Sequence, residues 1–126
     1  IKNSNYHVFE FLDQNEVLAL MATADVIISR CGLGVLTELS ALAKAAILIP
    51  MPASHQEENA AVFADAKAAI VLNQEEIDSE KLKLEVDNLL SDGKLRGELM
   101  NNISKVMKPA AAENIAAIIW EMIKKK

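Results

Sequence analysis

The run DVIISRCGLGVLTEL, residues 25–39, decides the fold. Residues 25–29 form a short apolar run that is β-branched in its middle, which is typical of a strand buried on both faces of a sheet. A pair of glycines follows, and after it Leu36, Leu39, Leu42 and Ala43 share one face of a helix. A buried strand that leads directly into a helix indicates a parallel α/β unit.

The same alternation extends to both sides of this run. Strands are predicted at residues 6–12, 25–29, 45–50 and 68–72, and helices at residues 15–24, 36–43 and 56–66. We therefore predict an α/β fold in which a Rossmann-like parallel sheet of about four strands carries covering helices.

The last part of the chain is predicted to be a helical tail. Asp78 or Ser79 can cap its first helix, Gly93 can stop that helix, and Pro109 suits the first position of the last helix. The apolar stripes of the three helices are Leu82, Val86, Leu89 and Leu90, then Leu95, Leu99, Ile103 and Val106, then Ile115, Ile118, Ile119 and Met122.

Composition narrows the possible functions of this chain. Its 126 residues suit one domain, and a hydrophobic content of 52% is enough for a core. A net charge of -5 argues against a nucleic-acid partner. The single cysteine, Cys31, excludes an internal disulfide and favours a reducing compartment. No apolar run is as long as a membrane-spanning helix requires.

The end of the strand at residues 25–29 is the first candidate for a ligand site, because parallel sheets bind ligands at the carboxyl ends of their strands. Gly32 and Gly34 would let a ligand approach the backbone, and free N–H groups of the following helix turn bind anions such as a pyrophosphate. Glu38 could accept hydrogen bonds from a vicinal diol such as a ribose. A tight turn with a solvated Glu38 is the alternative.

The second candidate follows the strand at residues 45–50. A loop stiffened by prolines leads into a helix start that carries His55, Gln56 and Asn59, and neutral polar side chains of this kind suit sugar hydroxyls. A polar helix start capped by Ser54 is the alternative. We expect no metal site, because His7 is the only other histidine, and no cofactor. The sequence contains no nucleophile elbow.

Three runs together resemble one enzyme family. IISRCGLGVLTELSALAK (residues 27–44), AILIPMP (residues 46–52) and HQEENA (residues 55–60) are similar to the C-terminal domain of MurG-type N-acetylglucosaminyltransferases. The resemblance covers nearly the whole chain. It implies the GT-B fold and transfer of N-acetylglucosamine from UDP-N-acetylglucosamine to lipid I, which gives lipid II of peptidoglycan, at the cytoplasmic face of the membrane.

The resemblance also implies roles for individual residues. The backbone of Leu12 would read the uracil edge, Glu38 would hold the ribose hydroxyls, and Gln56 with His55 would contact the N-acetylglucosamine ring. Asn59 would support the loop that leads into the helix with His55 and Gln56. The pyrophosphate and nucleoside would be lined by five consecutive residues, Leu33, Gly34, Val35, Leu36 and Thr37. Arg30 and Gly32, which precede them, are also predicted to bind the substrate. No catalytic residue is expected in this part of the fold.

The sequence also departs from the family. Ala43-Lys44-Ala45 stands where Gly-Lys-Pro is common, Ala66-Lys67-Ala68 lacks a common glycine, and Cys31 replaces a smaller residue, for which a structural role is favoured over a reactive thiol. The acceptor domain and the first βαβ part of the donor domain are absent from residues 1–126.

The missing parts determine the partners that we expect. The chain would bind UDP-N-acetylglucosamine without turnover and would need an acceptor domain or a partner chain. A homodimer through the strand at residues 6–12, or through the sheet edge beside it, is the first expectation for assembly. A monomer in which that strand slides next to residues 25–29 is the second. Two alternative functions stay open, a non-enzymatic nucleotide-sugar module and a scaffold with a vestigial site.

Overall fold

The computed structural model describes residues 5–108 and 110–124. Helices and strands alternate as far as residue 71, and helices alone follow. The elements are α1 (Gln14–Thr23), β1 (Ile27–Ser29), α2 (Leu33–Leu42), β2 (Ala46–Leu48), α3 (His55–Asp65), β3 (Ile70–Val71), α4 (Ser79–Ser91), α5 (Gly93–Ile103) and α6 (Ala111–Lys124).

The strands form one parallel sheet in the order β1-β2-β3. Ile28 pairs with Ile47, and Leu48 pairs with Val71. The central strand β2 is buried along its whole length. The predicted α/β class with a parallel sheet and a helical C-terminal part is therefore confirmed.

The predicted strand at residues 6–12 is wrong, so the described sheet has three strands instead of about four. Val8 and Phe11 are 74% and 85% exposed, and an extended segment without a paired neighbour is not stable as a strand. The prediction that residues 25–29 are buried on both faces is also wrong. Ile28 is 46% exposed, because β1 lies at the edge of the sheet.

This correction bears on assembly. Residues 6–12 do not pair with β1, so the sliding-strand arrangement is absent from the structure. The homodimer stays a prediction. If two copies pair through a strand, the strand would be β1, which lies at the edge of the described sheet.

Two apolar cores lie on the two faces of the sheet. Side chains of a strand alternate between faces, so Ala46 and Leu48 point into one core and Ile47 points into the other. The first core is built by α1, α2, α3 and Ile103, and the second by α4 and α5 with Leu89 and Leu99. The sheet is thus covered on both sides, as expected for a doubly wound domain.

The helical tail follows the predicted pattern with small shifts. Asp78 caps α4 through a hydrogen bond that its Oδ1 accepts from Lys81 N at 2.8 Å. Gly93 begins α5 instead of stopping α4, because Asp92 ends one helix and caps the next. Leu90, expected on the buried stripe, is 50% exposed, and Val106 lies beyond the end of α5.

The last helix, α6, exposes all of its described residues to solvent. Its predicted stripe of Ile115, Ile118, Ile119 and Met122 covers no core, with exposed fractions between 51% and 67%. Pro109 lies outside the described residues. Among the described helices, none is long and apolar enough to cross a membrane.

The two turns that lack a common glycine keep the backbone shape that favours glycine. Ala43 ends α2 with φ 49° and ψ 53°. Its N–H donates to Ser40 O at 3.3 Å and Lys44 N donates to Leu39 O at 3.1 Å, which is the Schellman arrangement. Lys67 closes α3 in the same way with φ 50°. Left-handed alanine and lysine are strained, so these departures from glycine lower the stability of the fold.

Candidate functional site

Two loops meet at the carboxyl ends of the neighbouring strands β1 and β2. The first runs from Ser29 into α2, and the second runs from Ile49 into α3. The predicted cap at Ser54 is present, because its Oγ accepts a hydrogen bond from Gln56 N at 3.2 Å and donates one to Met51 O at 2.7 Å. This cap fixes the start of α3 beside the first loop.

The side chain of Gln56 joins the two loops. Its Oε1 accepts hydrogen bonds from Cys31 N at 3.1 Å and from Met51 N at 3.2 Å. Since both partners are N–H donors, they determine which end of the amide is oxygen. Its Nε2 has no hydrogen-bond partner among the described residues, so that end of the side chain can donate to a ligand.

Asn59 holds the same loop from the next turn of α3. Its Nδ2 donates to Cys31 O at 3.0 Å. The N–H and the C=O of Cys31 are therefore both held by side chains of α3. The support that the resemblance implied for Asn59 is directed across the site, to the loop that precedes α2.

Arg30 ties the first loop to the end of β2. Its Nη1 donates to Ile49 O at 3.2 Å and to Pro50 O at 3.3 Å. The guanidinium has further N–H groups, and it is exposed at the mouth of the site. Arg30 therefore brings a positive charge to the loop that leads into α2. These carbonyl partners belong to the main chain, so no residue-type signal in the sequence indicates them.

The N-terminus of α2 is open. Gly32 is the N-cap with φ -70° and ψ 144°, and no side chain caps this end. A Cβ built on Gly32 or Gly34 would meet no atom within 4 Å. Neither the backbone conformation nor packing inside the chain requires glycine here. The first N–H groups of the helix therefore have no side-chain partner among the described residues, and such groups attract anions.

The other predicted residues of this loop differ in what they can offer. Leu33 is 63% exposed and Val35 is half-buried, so both can line a ligand. Leu36 is 1% exposed and belongs to the core. The hydroxyl of Thr37 donates to Leu33 O at 2.9 Å, inside the helix. Glu38 is half-buried and has no hydrogen-bond partner among the described residues, so its carboxylate can accept from a ligand.

Leu12 and His55 complete the predicted set. His55 is exposed at the first position of α3. Leu12 directly precedes Asp13, the cap of α1. Lys44 Nζ donates to Ala22 O at 2.6 Å and to Ala24 O at 3.1 Å, which places the C-terminal end of α1 at the amino ends of the strands. The opposite end of α1, with Leu12, therefore lies toward the carboxyl ends.

Cys31 has the structural role that the sequence favoured. Its side chain is fully buried, and burial raises the pKa of the thiol from 9.0 to about 11, while the nearby Arg30 charge acts in the opposite direction. A thiol of this kind stays protonated at neutral pH and is a poor nucleophile. Among the described residues, no group of three His, Cys, Asp or Glu side chains could hold a metal ion.

Comparison with known proteins gives a consistent result. Residues 1–115 match the glycosyltransferase family 28 C-terminal domain. The "UDP-N-acetylglucosamine--N-acetylmuramyl-(pentapeptide) pyrophosphoryl-undecaprenol N-acetylglucosamine transferase" of Nostoc sp. is 34% identical over 128 residues, which covers 99% of this chain and 35% of that protein. The protein of the same name from Caldicellulosiruptor saccharolyticus is 32% identical over 95% of this chain and 33% of its own length.

A solved structure agrees with these sequence matches. The crystal structure of Acinetobacter baumannii MurG superposes with a TM-score of 0.75 and 28% identity, covering 91% of this chain and 33% of that one. The chain therefore spans about a third of the length of the relatives that it matches.

Proposed function

Because the chain belongs to the glycosyltransferase family 28 C-terminal domain family, we propose that it binds UDP-N-acetylglucosamine as the donor half of a glycosyltransferase. The transfer would deliver N-acetylglucosamine to a lipid-linked acceptor, lipid I of peptidoglycan, at the cytoplasmic face of a membrane. An acceptor domain or a partner chain would supply the other wall of the cleft. The isolated chain would hold the donor without turning it over.

The observation that carries this proposal is the open N-terminus of α2. No side chain caps its N–H groups, a Cβ on Gly32 or Gly34 would meet no atom within 4 Å, and Arg30, two residues before the N-cap, brings a positive charge to the neighbouring end of β2. A diphosphate needs donors and positive charge of this kind. Glu38, whose carboxylate has no partner among the described residues, would accept hydrogen bonds from the ribose diol.

The sugar would be read at the start of α3. Gln56 Oε1 is engaged by two backbone N–H groups, so the proposed contact to the N-acetylglucosamine ring uses Nε2 as a donor. His55 is exposed beside it and can make a second contact. The backbone of Leu12, at the same end of the fold, would read the uracil edge.

Calorimetric titration tests this proposal. We expect UDP to bind residues 1–126 with a Kd on the order of 0.1 to several mM, because these residues span about a third of the length of the relatives and would enclose the ligand on one side only, and ADP to bind more weakly. Equal affinity for UDP and ADP, or no heat at millimolar UDP, would contradict donor binding and favour a scaffold with a vestigial site.

Substitution of Glu38, the residue proposed to hold the ribose, gives a sharper test. Glu38→Gln should weaken UDP binding by about 1 to 2 kcal/mol, since charge-assisted hydrogen bonds are lost. The melting temperature of the unliganded protein should stay the same, because Glu38 has no partner among the described residues. A variant that binds UDP normally and melts early would reassign Glu38 to a structural role.

A further inference from the structure

One peptide group of the site is held in a fixed direction. Cys31 C=O accepts a hydrogen bond from Asn59 Nδ2 at 3.0 Å, and Cys31 N–H donates to Gln56 Oε1 at 3.1 Å. The peptide that contains Cys31 C=O also contains Gly32 N–H. No described residue accepts a hydrogen bond from Gly32 N–H.

The planarity of that peptide links Asn59 to Gly32. In a trans peptide the C=O and the N–H point in opposite directions, and the chain has no cis peptide bond among its described residues. Since Asn59 draws Cys31 C=O toward α3, Gly32 N–H must point away from α3. On that side a Cβ built on Gly32 would meet no atom within 4 Å.

We propose that Asn59 is a positioning residue for the phosphate of the donor, because it aims Gly32 N–H as a hydrogen-bond donor to that phosphate. Asn59 itself touches no ligand in this arrangement. The inference rests on the proposed binding of a uridine diphosphate. It adds that one side chain of α3 sets the preference for phosphate over the bare nucleoside at the N-terminus of α2.

Without Asn59 the Cys31–Gly32 peptide could rotate, and the loss would be specific to phosphate. Replacing Asn59 by leucine removes the N–H donor and keeps a similar side-chain volume. We expect the preference for UDP over uridine to fall about tenfold, the worth of one hydrogen bond to a charged group, while the affinity for uridine stays the same.

The chain offers a matched control. Asn102 Nδ2 donates to Lys67 O at 2.9 Å, which is the same type of bond from a half-buried asparagine to a main-chain carbonyl. Asn102→Leu should lower the melting temperature about as much as Asn59→Leu does, and it should leave the ratio of UDP to uridine affinity at the wild-type value.

The experiment combines titrations of UDP and of uridine, followed by amide NMR, on wild type and both variants. In wild type, the Gly32 amide resonance should move with UDP and stay in place with uridine, and this arm requires no variant to fold. A wild type that does not bind UDP would defeat the proposed function itself. If the wild type binds UDP, two results would overturn the role of Asn59 alone. One is a Gly32 amide resonance that does not shift with UDP, and the other is a wild-type ratio of UDP to uridine affinity in Asn59→Leu.

Discussion

Gly34→Ala should make the protein more stable and should weaken its binding of UDP. Gly34 is the second residue of α2, it is exposed, and its added Cβ would meet no atom within 4 Å. It does not have a positive φ. The alanine therefore fits the unliganded helix without strain, and the only object in its way would be a bound ligand.

The size of the stability gain follows from helix propensity. Glycine costs about 0.8 to 1.0 kcal/mol relative to alanine inside a helix, because it has more conformational freedom to lose. No packing penalty offsets this gain at Gly34, but Gly34 lies in the first turn of α2, so we expect at most this amount. For a domain of this size it corresponds to a rise in Tm of roughly 3 to 6 °C. Binding of UDP should weaken about tenfold, because the methyl group enters the space beside the first N–H groups of α2.

Differential scanning calorimetry and UDP titration of the same samples test both halves. Gly97 provides the control, since it lies inside α5, is exposed and would also meet no atom within 4 Å after gaining a Cβ. Gly97→Ala should raise Tm by a similar amount and leave UDP binding unchanged. If Gly34→Ala raises Tm but binds UDP as wild type does, the idea that this glycine makes room for the ligand is refuted.

Further substitutions test the energetics of the fold by thermal and urea unfolding. Ala43→Gly and Lys67→Gly should each stabilise by about 1 kcal/mol, because both residues are left-handed, and a loss of stability would contradict the assigned turn. Ser40→Ala should stabilise by about 1 kcal/mol, because the buried Ser40 Oγ has no partner among the described residues; a loss would reveal an unrecognised partner. The raised pKa of Cys31 contributes stability that is fully present below pH 9 and lost as pH rises through about 11. Between these pH values the free energy of unfolding should fall by about 2 to 3 kcal/mol. The control, Cys31→Ala, has no thiol to titrate, so its free energy of unfolding should fall less over the same pH range.

The parts of the fold that the sequence predicts are those set by local patterns. Apolar runs located β1, β2 and β3, and the caps at Ser54 and Asp78 were found because capping needs particular side chains next to a helix start. The prediction of a strand at residues 6–12 was wrong, although the sequence pattern of that segment is strand-like. A strand exists only with a paired neighbour, and the sequence of the segment does not contain that information.

The sequence predicts which residues of the candidate site contact a ligand, and those contacts stay predictions, whereas the hydrogen bonds inside the site could not be predicted. Residue types pointed to Gln56 as a contact for a sugar, and that part stays a prediction. The hydrogen bonds that Gln56 Oε1 accepts from Cys31 N and Met51 N could not be predicted, because main-chain donors carry no residue signature. The same holds for Arg30, whose partners are two carbonyl groups of the second loop.

The placement of glycine in this chain is a physical argument for a ligand at α2. None of its glycines has a positive φ, whereas Ala43, Ala53 and Lys67 do. Glycine is thus missing at turns where the backbone favours it and present at Gly32 and Gly34, where the backbone does not require it.

Two common reasons for glycine therefore fail at Gly32 and Gly34. Backbone conformation does not explain them, and neither does contact with the rest of the chain, since a Cβ at either position would meet no atom within 4 Å. Gly97 shares both properties, so they do not by themselves indicate a ligand. What sets Gly32 and Gly34 apart is their place at a helix N-terminus that no side chain caps. At this uncapped helix N-terminus the proposed diphosphate would accept hydrogen bonds from the free N–H groups of the first turn, and glycine would leave room for it.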